Sequence, residues 1–566
     1  MDKTSLTQFL GFRDQNLAFM KIRRPKYLRK LRIISLPTDK YILRFRPKHI
    51  WRFDCVEVDS HVTSALPMKW ARRRFGIIFR DLKIRNFVYE AQMKELAFGE
   101  FSRNFESVVF KQIRKVKKLK INLSTMANHF GQNLLPMKVF FRILQKIKVI
   151  KNLQLDMSFD IPGNMNIEKT LQPFEGLQNV EKIQIKLSSE ALVELETFQK
   201  INLKNVKCLK LDGNTFFSFD LFSLNLFFQL RYLDVSIDNS FDEKALLNFI
   251  QTSLSKMFLT TFIFNFSLKH AKDKFFEYFI RFLSLPKSLH TLNLTLKYLN
   301  FNKYFDVSDK NDLTVFTDIW NQKTQGLGLL ESVNLNLAFS ESFKPVYTSC
   351  LTSFLKDVPN LKRLEIAVTD CFSSFAANQM LGQKRAFNLN DLLSSLKSAS
   401  GIEQLDISVP FLYFALLRTN LSQEFLNLGR LKKISLFNKV DPSAYKNLDT
   451  LLKVLPHKLE ELSLKFCDIV QDSEIPYRLL LLANFRHLRH LEITLQVRYI
   501  SKKVFLTFFE EICQIPTLLS LRVHFPSLHL DHHTIESINN NFGFKLQKLQ
   551  CVEIKIDKYC VIYKNL

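Results

Sequence analysis

The chain has 566 residues, with 81 Lys and Arg against 54 Asp and Glu, and a formal net charge of +27. Hydrophobic residues make up 46% of it, while Gly and Pro number only 13 and 16, which excludes extensive disorder and collagen-like or low-complexity sequence. A chain of this length contains either three or four ordinary domains or one long array of repeats.

The positive charge is concentrated near the N-terminus. Residues 1–150 contain 33 Lys and Arg against 11 Asp and Glu, a balance of +22, whereas residues 151–566 contain 48 against 43, a balance of +5. Such an asymmetry indicates a localised contact with an acidic protein or a nucleic acid, because a bulk solubility effect would be spread along the chain.

One short pattern, apolar-x-x-apolar-x-apolar, recurs along most of the chain. The fourteen intervals from Val116 to Leu549 average about 31 residues, and the last five are 29, 28, 29, 30 and 31. Its alternating apolar positions predict one strand per unit, with one face buried. The first apolar residues of the predicted units are Leu28, Phe53, Phe79, Val116, Ile150, Val180, Val206, Leu230, Leu259, Leu289, Leu330, Leu361, Ile402, Leu431, Leu459, Leu488, Leu518 and Leu549.

Between the strands, the apolar spacing becomes helical in residues 240–254, 441–456 and 501–516. Each of these helices can begin at a residue suited to cap its N-terminus: Ser240, which has capping-box spacing to Glu243, then Asp441, and then Ser501. Prolines placed just before strands would end them: Pro286, Pro359, Pro456 and Pro516. The predicted buried stripes are Leu246, Leu247 and Ile250; Leu448, Leu451, Leu452 and Leu455; and Phe505, Phe508 and Ile512.

The strand motif at this spacing resembles leucine-rich repeat proteins of the ribonuclease-inhibitor-like intracellular type, over about residues 28–560. The resemblance implies an α/β horseshoe solenoid with a parallel β-sheet on its concave side and helices outside. In this interpretation, residues 1–27 form an N-terminal cap and residues 28–566 form about 17–18 units, with insertions near 303–328 and 371–388.

Signals for catalysis or metal binding are weak. Thirteen glycines leave little room for a phosphate-binding loop, and the sequence contains neither GK[ST] nor GxSxG. The histidines 524, 529, 532 and 533 do not have the spacing of a zinc site, so we interpret them as surface residues. A disulfide or a shared ligand role for Cys551 and Cys560 is less favoured than reduced, buried thiols. We expect no catalytic residue, no metal and no cofactor.

The eight cysteines form no CxxC pair, and the N-terminal segment contains no long apolar run. The longest uncharged apolar stretches have about a dozen residues, whereas a membrane span needs ~20. These features predict an intracellular protein without a membrane span, in the cytoplasm or in the nucleus.

Candidate binding residues are the basic ones at the polar strand positions of the early units, because these positions should face the concave side. They are Lys30, Arg32, Lys83, Arg85, Lys118, Lys120, Lys182 and Lys186. Later units carry neutral and then mixed polar residues. Two interpretations remain open at this stage: a functional basic patch, or ordinary solvated surface.

The resemblance implies a non-enzymatic scaffold that binds another protein, and the basic N-terminal quarter favours an acidic partner. A first alternative is an RNA-associated or other nucleic-acid-associated protein that uses the same basic region. A second is a ubiquitin-ligase substrate receptor, since Ser35-Leu-Pro-Thr faintly resembles the start of an adaptor-binding motif. The oligomeric state is left undetermined.

Overall fold

The computed structural model describes the repeated strands together with the turns and some of the helices that join them. The described residues are 28–33, 52–59, 83–93, 115–125, 149–158, 180–187, 192–193, 205–213, 216–217, 229–237, 246, 249–267, 285–299, 327–339, 354–356, 358–370, 396, 401–409, 428–438, 448–470, 480–497, 502–526, 549–556 and 559–564. The predicted cap at 1–27, the Ser35-Leu-Pro-Thr segment, the insertion at 371–388 and most of the insertion at 303–328 lie outside them.

The chain divides into two compact units, unit 1 (Met1–Asn265) and unit 2 (Phe266–Leu566). The strands up to this division are β1 (Leu28–Ile33), β2 (Arg52–Asp59), β3 (Lys83–Met93), β4 (Lys115–Thr125), β5 (Val149–Ser158), β6 (Lys182–Leu187), β7 (Leu192–Val193), β8 (Cys208–Gly213), β9 (Phe216–Phe217) and β10 (Tyr232–Ile237). The division falls within β11 (Thr261–Ser267).

In unit 1, each long strand pairs in parallel with the next one along the chain, in the order β1, β2, β3, β4, β5, β6, β8, β10. The two-residue strands β7 and β9 pair separately, also in parallel. Sequential parallel pairing with one strand per repeat is the arrangement of a solenoid.

In unit 2, nine strands also pair in parallel with the next strand along the chain, and one further strand runs in the opposite direction. Its strands are β12 (Thr291–Leu299), β13 (Ser332–Phe339), β14 (Arg363–Asp370), β15 (Gln404–Val409), β16 (Lys433–Asn438), β17 (Glu461–Val470), β18 (His490–Val497), β19 (Ser520–Phe525), β20 (Cys551–Ile556) and β21 (Tyr559–Lys564). From β12 to β20 every consecutive pair is parallel. The last strand, β21, is antiparallel to β20.

The core lies on one face of each sheet because the strands alternate in burial. In β12 the side chains of Leu292, Leu294 and Leu296 are at most 5% exposed, whereas the polar residues between them are only partly buried. Phenylalanine replaces leucine in β11, where Phe262, Phe264 and Phe266 are almost completely buried. The period-two pattern of the sequence therefore corresponds to one buried and one polar face.

Seven of the strands of unit 2, β12, β13, β14, β16, β17, β18 and β19, are entered through the same tight turn. The N–H of the first apolar residue of the repeat donates to the carbonyl three residues earlier, as between Leu289 and Pro286 (3.1 Å) and between Leu459 and Pro456 (3.2 Å). Proline suits this turn because it cannot continue a preceding helix. The sequence expectation that Pro286 and Pro456 mark strand entries is confirmed.

The segments between strands are less regular than the sequence predicts. Two α-helices are described, α1 (Leu448–Val454) and α2 (Lys502–Ile512), and they lie within the helices predicted at 441–456 and 501–516. In the predicted helix at 240–254, a π-helical turn (Phe249–Ser253) is followed by a 3-10 turn (Leu254–Lys256).

Packing explains the departure at 240–254. A π-turn is wider than an α-turn, and here Phe249, Ile250 and Leu254 are all at most 1% exposed. Burial of these three side chains accompanies the departure from regular α-helical geometry, whereas Leu246, earlier in the segment, is both α-helical and buried. In α2, the predicted Phe508 and Ile512 are buried, together with Phe509, which the predicted stripe omitted.

The strand register corrects the position of the third repeat. The sequence pattern places its first apolar residue at Phe79, but Ile84 of β3 pairs with Phe53 of β2, and Phe87 pairs with Leu119 of β4. Ile84, Phe87 and Tyr89 thus form the repeat motif, five residues later than predicted. Both frames satisfy the apolar pattern, and only the pairing of neighbouring strands distinguishes them.

The sequential parallel strands, the spacing of about 30 residues and the single buried face together define the fold. Each unit is a leucine-rich repeat solenoid. Because every repeat buries its apolar residues mainly against the repeats beside it, stability is approximately a sum of repeat and neighbour contributions.

Truncation of a buried strand residue tests this arrangement. Leu464 in β17 is fully buried, so Leu464→Ala should lower the free energy of unfolding by about 2–5 kcal/mol, because it removes apolar contacts and leaves a cavity. Urea unfolding followed by circular dichroism measures this change. The control Thr494→Ala, on the polar face of β18, should change it by less than about 0.5 kcal/mol. Equal losses in the two variants would contradict the assignment of the buried face.

Candidate interaction surface

The parallel register arranges the polar face of each sheet into columns of equivalent residues. We call the first apolar residue of each repeat the opening residue, as in Val206. The residue after it belongs to the edge column, and the second, fourth and sixth residues after it belong to the second, middle and far columns. In the repeat of β8 these are Lys207, Cys208, Lys210 and Asp212. Neighbouring members of a column lie ~4.8 Å apart, so side chains within a column can interact.

Six of the eight predicted binding residues fall into the second, middle and far columns of unit 1. Lys30, Lys118 and Lys182 share the second column, and Arg32 and Lys120 share the middle column. Lys186 lies in the far column, where it pairs with Asp156 on one side and Asp212 on the other. The register therefore brings residues as far apart in sequence as Lys30 and Lys182 into one column, beside the column of Arg32 and Lys120.

The other two, Lys83 and Arg85, occupy different positions because of the shifted third repeat. Asn86 pairs with Lys118 and Val88 pairs with Lys120, so Asn86 and Val88 hold the second and middle columns of β3. Arg85 directly follows Ile84 and belongs to the edge column. Lys83 precedes Ile84 and belongs to none of the four columns. The predicted grouping of Lys83 and Arg85 with Lys118 and Lys120 is thus not what the register shows.

The middle column of β8 and β10 contains an ion pair. Lys210 Nζ lies 3.0 Å from Asp234 Oδ2 and 5.1 Å from the centre of the Tyr232 ring. Burial alone would lower the pKa of Lys210, but hydrogen bonds with Asp234 and Tyr232 outweigh it and raise that pKa. Burial also raises the pKa of Tyr232, which stays a neutral phenol at neutral pH. The charge of Lys210 is consequently balanced within the face.

Cys208 lies beside this pair in the second column. Burial raises the pKa of its thiol, although the charges of Lys182 and Lys210 act in the opposite direction. A raised pKa keeps the sulfur protonated at neutral pH, and a protonated thiol is a poor nucleophile. The local geometry therefore indicates a structural cysteine.

The second, middle and far columns of β12 and β13 are neutral and polar. Their residues are Thr291, Asn293, Thr295, Ser332, Asn334 and Asn336, which pair in register. Within the described part of the structure, the Oδ1 atom of Asn293 is buried and accepts no hydrogen bond. An unsatisfied buried acceptor is unfavourable, so this oxygen could accept a donor from a bound molecule.

Further along unit 2, charges are balanced between neighbouring repeats. The edge column alternates in sign through six consecutive repeats: Glu331, Lys362, Glu403, Lys432, Glu460 and Arg489. Ion pairs join these residues two by two, at 2.8 Å for Lys362–Glu331, 3.5 Å for Lys432–Glu403 and 3.8 Å for Arg489–Glu460. In the second column, Lys433 and Glu461 lie 3.1 Å apart.

A network centred on Glu492 occupies the last strands of unit 2. Its carboxylate accepts hydrogen bonds from Lys465 Nζ at 2.9 Å and from Ser463 Oγ at 3.0 Å. Burial opposes ionisation, but the bond and charge of Lys465, the Ser463 bond and the charge of Arg522 together lower the pKa of Glu492. Glu492 is therefore ionised at neutral pH and holds Lys465 in place.

His524 lies in the far column of the same region. Burial lowers its pKa, and the charges of Lys555 and Lys465 lower it further, while Glu553 partly opposes them. The imidazole is thus neutral at neutral pH. His529, His532 and His533, which accompany it in the sequence, lie outside the described residues.

Three residues of this surface escaped the sequence analysis. Lys207 and Arg231 are exposed members of the edge column, and Phe258 lies next to Arg231 with 65% of its surface exposed. The analysis considered only alternate strand positions and so passed over the residue directly after each opening residue. Applying the repeat period to that position would have found Lys207 and Arg231.

The metal and disulfide sites considered from the sequence do not come together among the described residues. Within the described ranges, no three His, Cys, Asp or Glu side chains are grouped so as to hold a metal ion. Cys551 pairs in register with Lys564, and Cys560 pairs with Lys555, so the register does not bring the two cysteines opposite each other. In the part of the chain that is described, no helix has the length and apolar character needed to cross a membrane.

No protein-family model matches the sequence, and no curated protein sequence matches it. Among solved structures, the chain is similar to Toll in the Drosophila Toll–Spätzle complex, at 11% identity and a TM-score of 0.37, over 93% of this chain and 54% of that one. It is also similar to the plant peptide hormone receptor RGFR1 in complex with RGF2, at 11% identity and a TM-score of 0.32, over 84% and 62%. The chain thus spans less than two thirds of either structure's length.

The Glu492 network should make stability depend on pH. Because the pKa of Glu492 is lower in the folded than in the unfolded protein, its contribution is complete above the ordinary pKa of about 4.3 and is lost as pH falls through the folded-state value. The variants Glu492→Gln, Lys465→Met and their combination, unfolded with urea at pH 7 and pH 3, measure the coupling free energy. We expect up to about 1 kcal/mol at pH 7 and a smaller coupling at pH 3. A coupling that is equal at both pH values would contradict the ionic interaction.

Proposed function

We propose that this chain is a non-enzymatic scaffold that binds a protein partner on the polar face of its sheets. The supporting observation is the continuous set of partly exposed polar columns, fixed in register by the buried face behind them. A surface that is already rigid loses little conformational entropy when it binds a partner. The resemblance of the strand motif to leucine-rich repeat proteins of the ribonuclease-inhibitor-like type also supports the proposal.

For unit 1, we propose an acidic partner that contacts Lys30, Arg32, Lys118, Lys120, Lys182 and Lys186. The support is their placement in neighbouring columns of one sheet. We propose further that the protein acts inside the cell, where thiols stay reduced. Cys208 and Cys551 are not disulfide-bonded, which agrees with this location.

Nucleic-acid binding is the second candidate, and the basic residues of β4 favour it. Four lysines lie within six residues of this strand: Lys115, Lys117, Lys118 and Lys120. Contacts with phosphates would make affinity fall steeply as salt rises. A contact with an acidic protein also weakens with salt, so a direct comparison of the two ligands is needed.

Charge reversal on the polar face tests the scaffold function. We expect Lys118→Glu with Lys120→Glu to release partners that the full-length wild-type chain retains in affinity purification from its native cells, because the reversed charges repel an acidic surface. Quantitative mass spectrometry of the retained proteins measures this loss. RNA content measured in the same eluates distinguishes a nucleic-acid partner.

The matched control reverses two charges away from the polar columns. Lys256 and Lys503 are exposed and belong to the segments between strands, so Lys256→Glu with Lys503→Glu should leave the retained partners unchanged. If both double variants lose the same proteins, the polar face is not the binding site.

A further inference from the structure

We propose that the edge and second columns of unit 1 form a basic strip that binds an acidic, extended segment of a protein partner, running across the strands. This inference rests on the proposed scaffold function and specifies its site and its ligand. The strip comprises the two residues after each opening residue from β1 to β10. It runs across the strands, along the side of the sheet on which the strands begin.

Charge is segregated between the two sides of the unit 1 face. The edge and second columns contain nine basic and two acidic residues, a balance of +7, whereas the far column contains one basic and four acidic residues, a balance of −3. The basic members of the strip are Arg29, Lys30, Arg85, Lys117, Lys118, Lys151, Lys182, Lys207 and Arg231. The acids of the far column are Asp59, Glu90, Asp156 and Asp212. An anionic ligand is therefore attracted to one edge and repelled from the other.

The same two columns in unit 2 show that this distribution is not imposed by the fold. There they contain five basic and four acidic residues, and the edge column alternates in sign so that neighbours form ion pairs. In unit 1, Arg85, Lys117 and Lys151 instead occupy adjacent edge positions on three consecutive strands. Like charges on neighbouring strands are destabilising, and a bound anionic segment would relieve their repulsion.

Two basic residues of the strip whose side chains are described, Lys182 and Lys207, are available for binding, although Glu181 of the edge column neighbours Lys207. Lys207 is exposed and Lys182 is partly exposed, and among the described residues neither forms an ion pair. Lys210, in the middle column, is instead neutralised by Asp234 at 3.0 Å. The uncompensated charge thus belongs to the strip rather than to the face as a whole.

An aromatic contact adds specificity near β10. Arg231 Nη1 donates to the carbonyl of Phe258 at 3.1 Å, and its guanidinium carbon lies 5.7 Å from the centre of the Phe258 ring. The ring remains 65% exposed. Arginine and aromatic side chains are frequent energetic centres of protein interfaces. We therefore expect the acidic segment to place an apolar side chain on Phe258.

The dimensions favour an extended peptide. Eight strands at ~4.8 Å spacing extend over about 34 Å, which about ten residues of extended chain would cover. The whole face, from edge to far column, is about 16 Å wide at ~3.3 Å per residue. A ligand that is broad and uniformly anionic would also contact the acids of the far column, including Asp156 and Asp212. A narrow segment can remain on the basic strip.

The test measures binding of the full-length chain to a fluorescent oligoglutamate of about ten residues, and to the same peptide with one central leucine, by anisotropy at low and moderate salt. Lys182→Glu and Lys207→Glu should each weaken binding by about five-fold, since each reversal removes an exposed charge pair worth up to about that factor. The off-strip control Lys256→Glu should change the affinity for either peptide by less than two-fold.

Phe258→Ala should weaken the binding of the leucine-containing peptide only. Thermal unfolding of each variant verifies that it is folded.

Lys186→Glu separates this inference from the proposed function, because Lys186 shares β6 with Lys182 but lies in the far column. A loss equal to that of Lys182→Glu would overturn the strip and leave the polar face as the binding surface. The strip would also be overturned if Lys256→Glu weakened peptide binding as much as Lys182→Glu does. It would be overturned too if the wild-type chain did not bind oligoglutamate at low salt. A ten-nucleotide oligouridine that binds more tightly than either peptide would replace the acidic peptide with a nucleic acid.

Discussion

Parallel pairing of each strand with the next one in sequence is the constraint on which the rest of the structure depends. It places equivalent positions of successive repeats beside each other, so that Leu292 meets Val333 and Asn293 meets Asn334. A buried position thereby becomes a continuous apolar core, and a polar position becomes a column. Both the stability of the fold and the chemistry of its surface follow from the residue type that recurs at each position.

The columns give the two units different surfaces on the same framework. In unit 2, residues such as Glu331 and Lys362 alternate along the edge column, and their ion pairs leave little uncompensated charge. In unit 1, basic residues recur on neighbouring strands and acids collect at the far side of the face. Exposed ion pairs contribute little to stability individually, so this contrast matters more for recognition than for folding.

Local packing prevails over regular geometry where the two disagree. The segment with Phe249, Ile250 and Leu254 buries three large side chains, and over residues 249–256 it forms a π-turn followed by a 3-10 turn, although the apolar spacing predicts an α-helix as far as residue 254. Propensity differences are small beside the burial of such side chains. The helix Lys502–Ile512, in which regular spacing already places Phe508 and Ile512 in the core, keeps its α-helical form.

The sequence by itself determined the repeat, its strands, the buried face and the excess of positive charge, because period-two burial and a recurring interval are local properties of the chain. It could not decide between Phe79 and Ile84 as the start of the third repeat, since each begins an acceptable apolar pattern. Only strand pairing decided this, by setting Asn86 against Lys118. Likewise, the pairing of Lys210 with Asp234 and the stacking of Arg231 on Phe258 depend on residues 24 and 27 positions apart. Such contacts are created by the register of neighbouring repeats, which no single segment of the sequence contains.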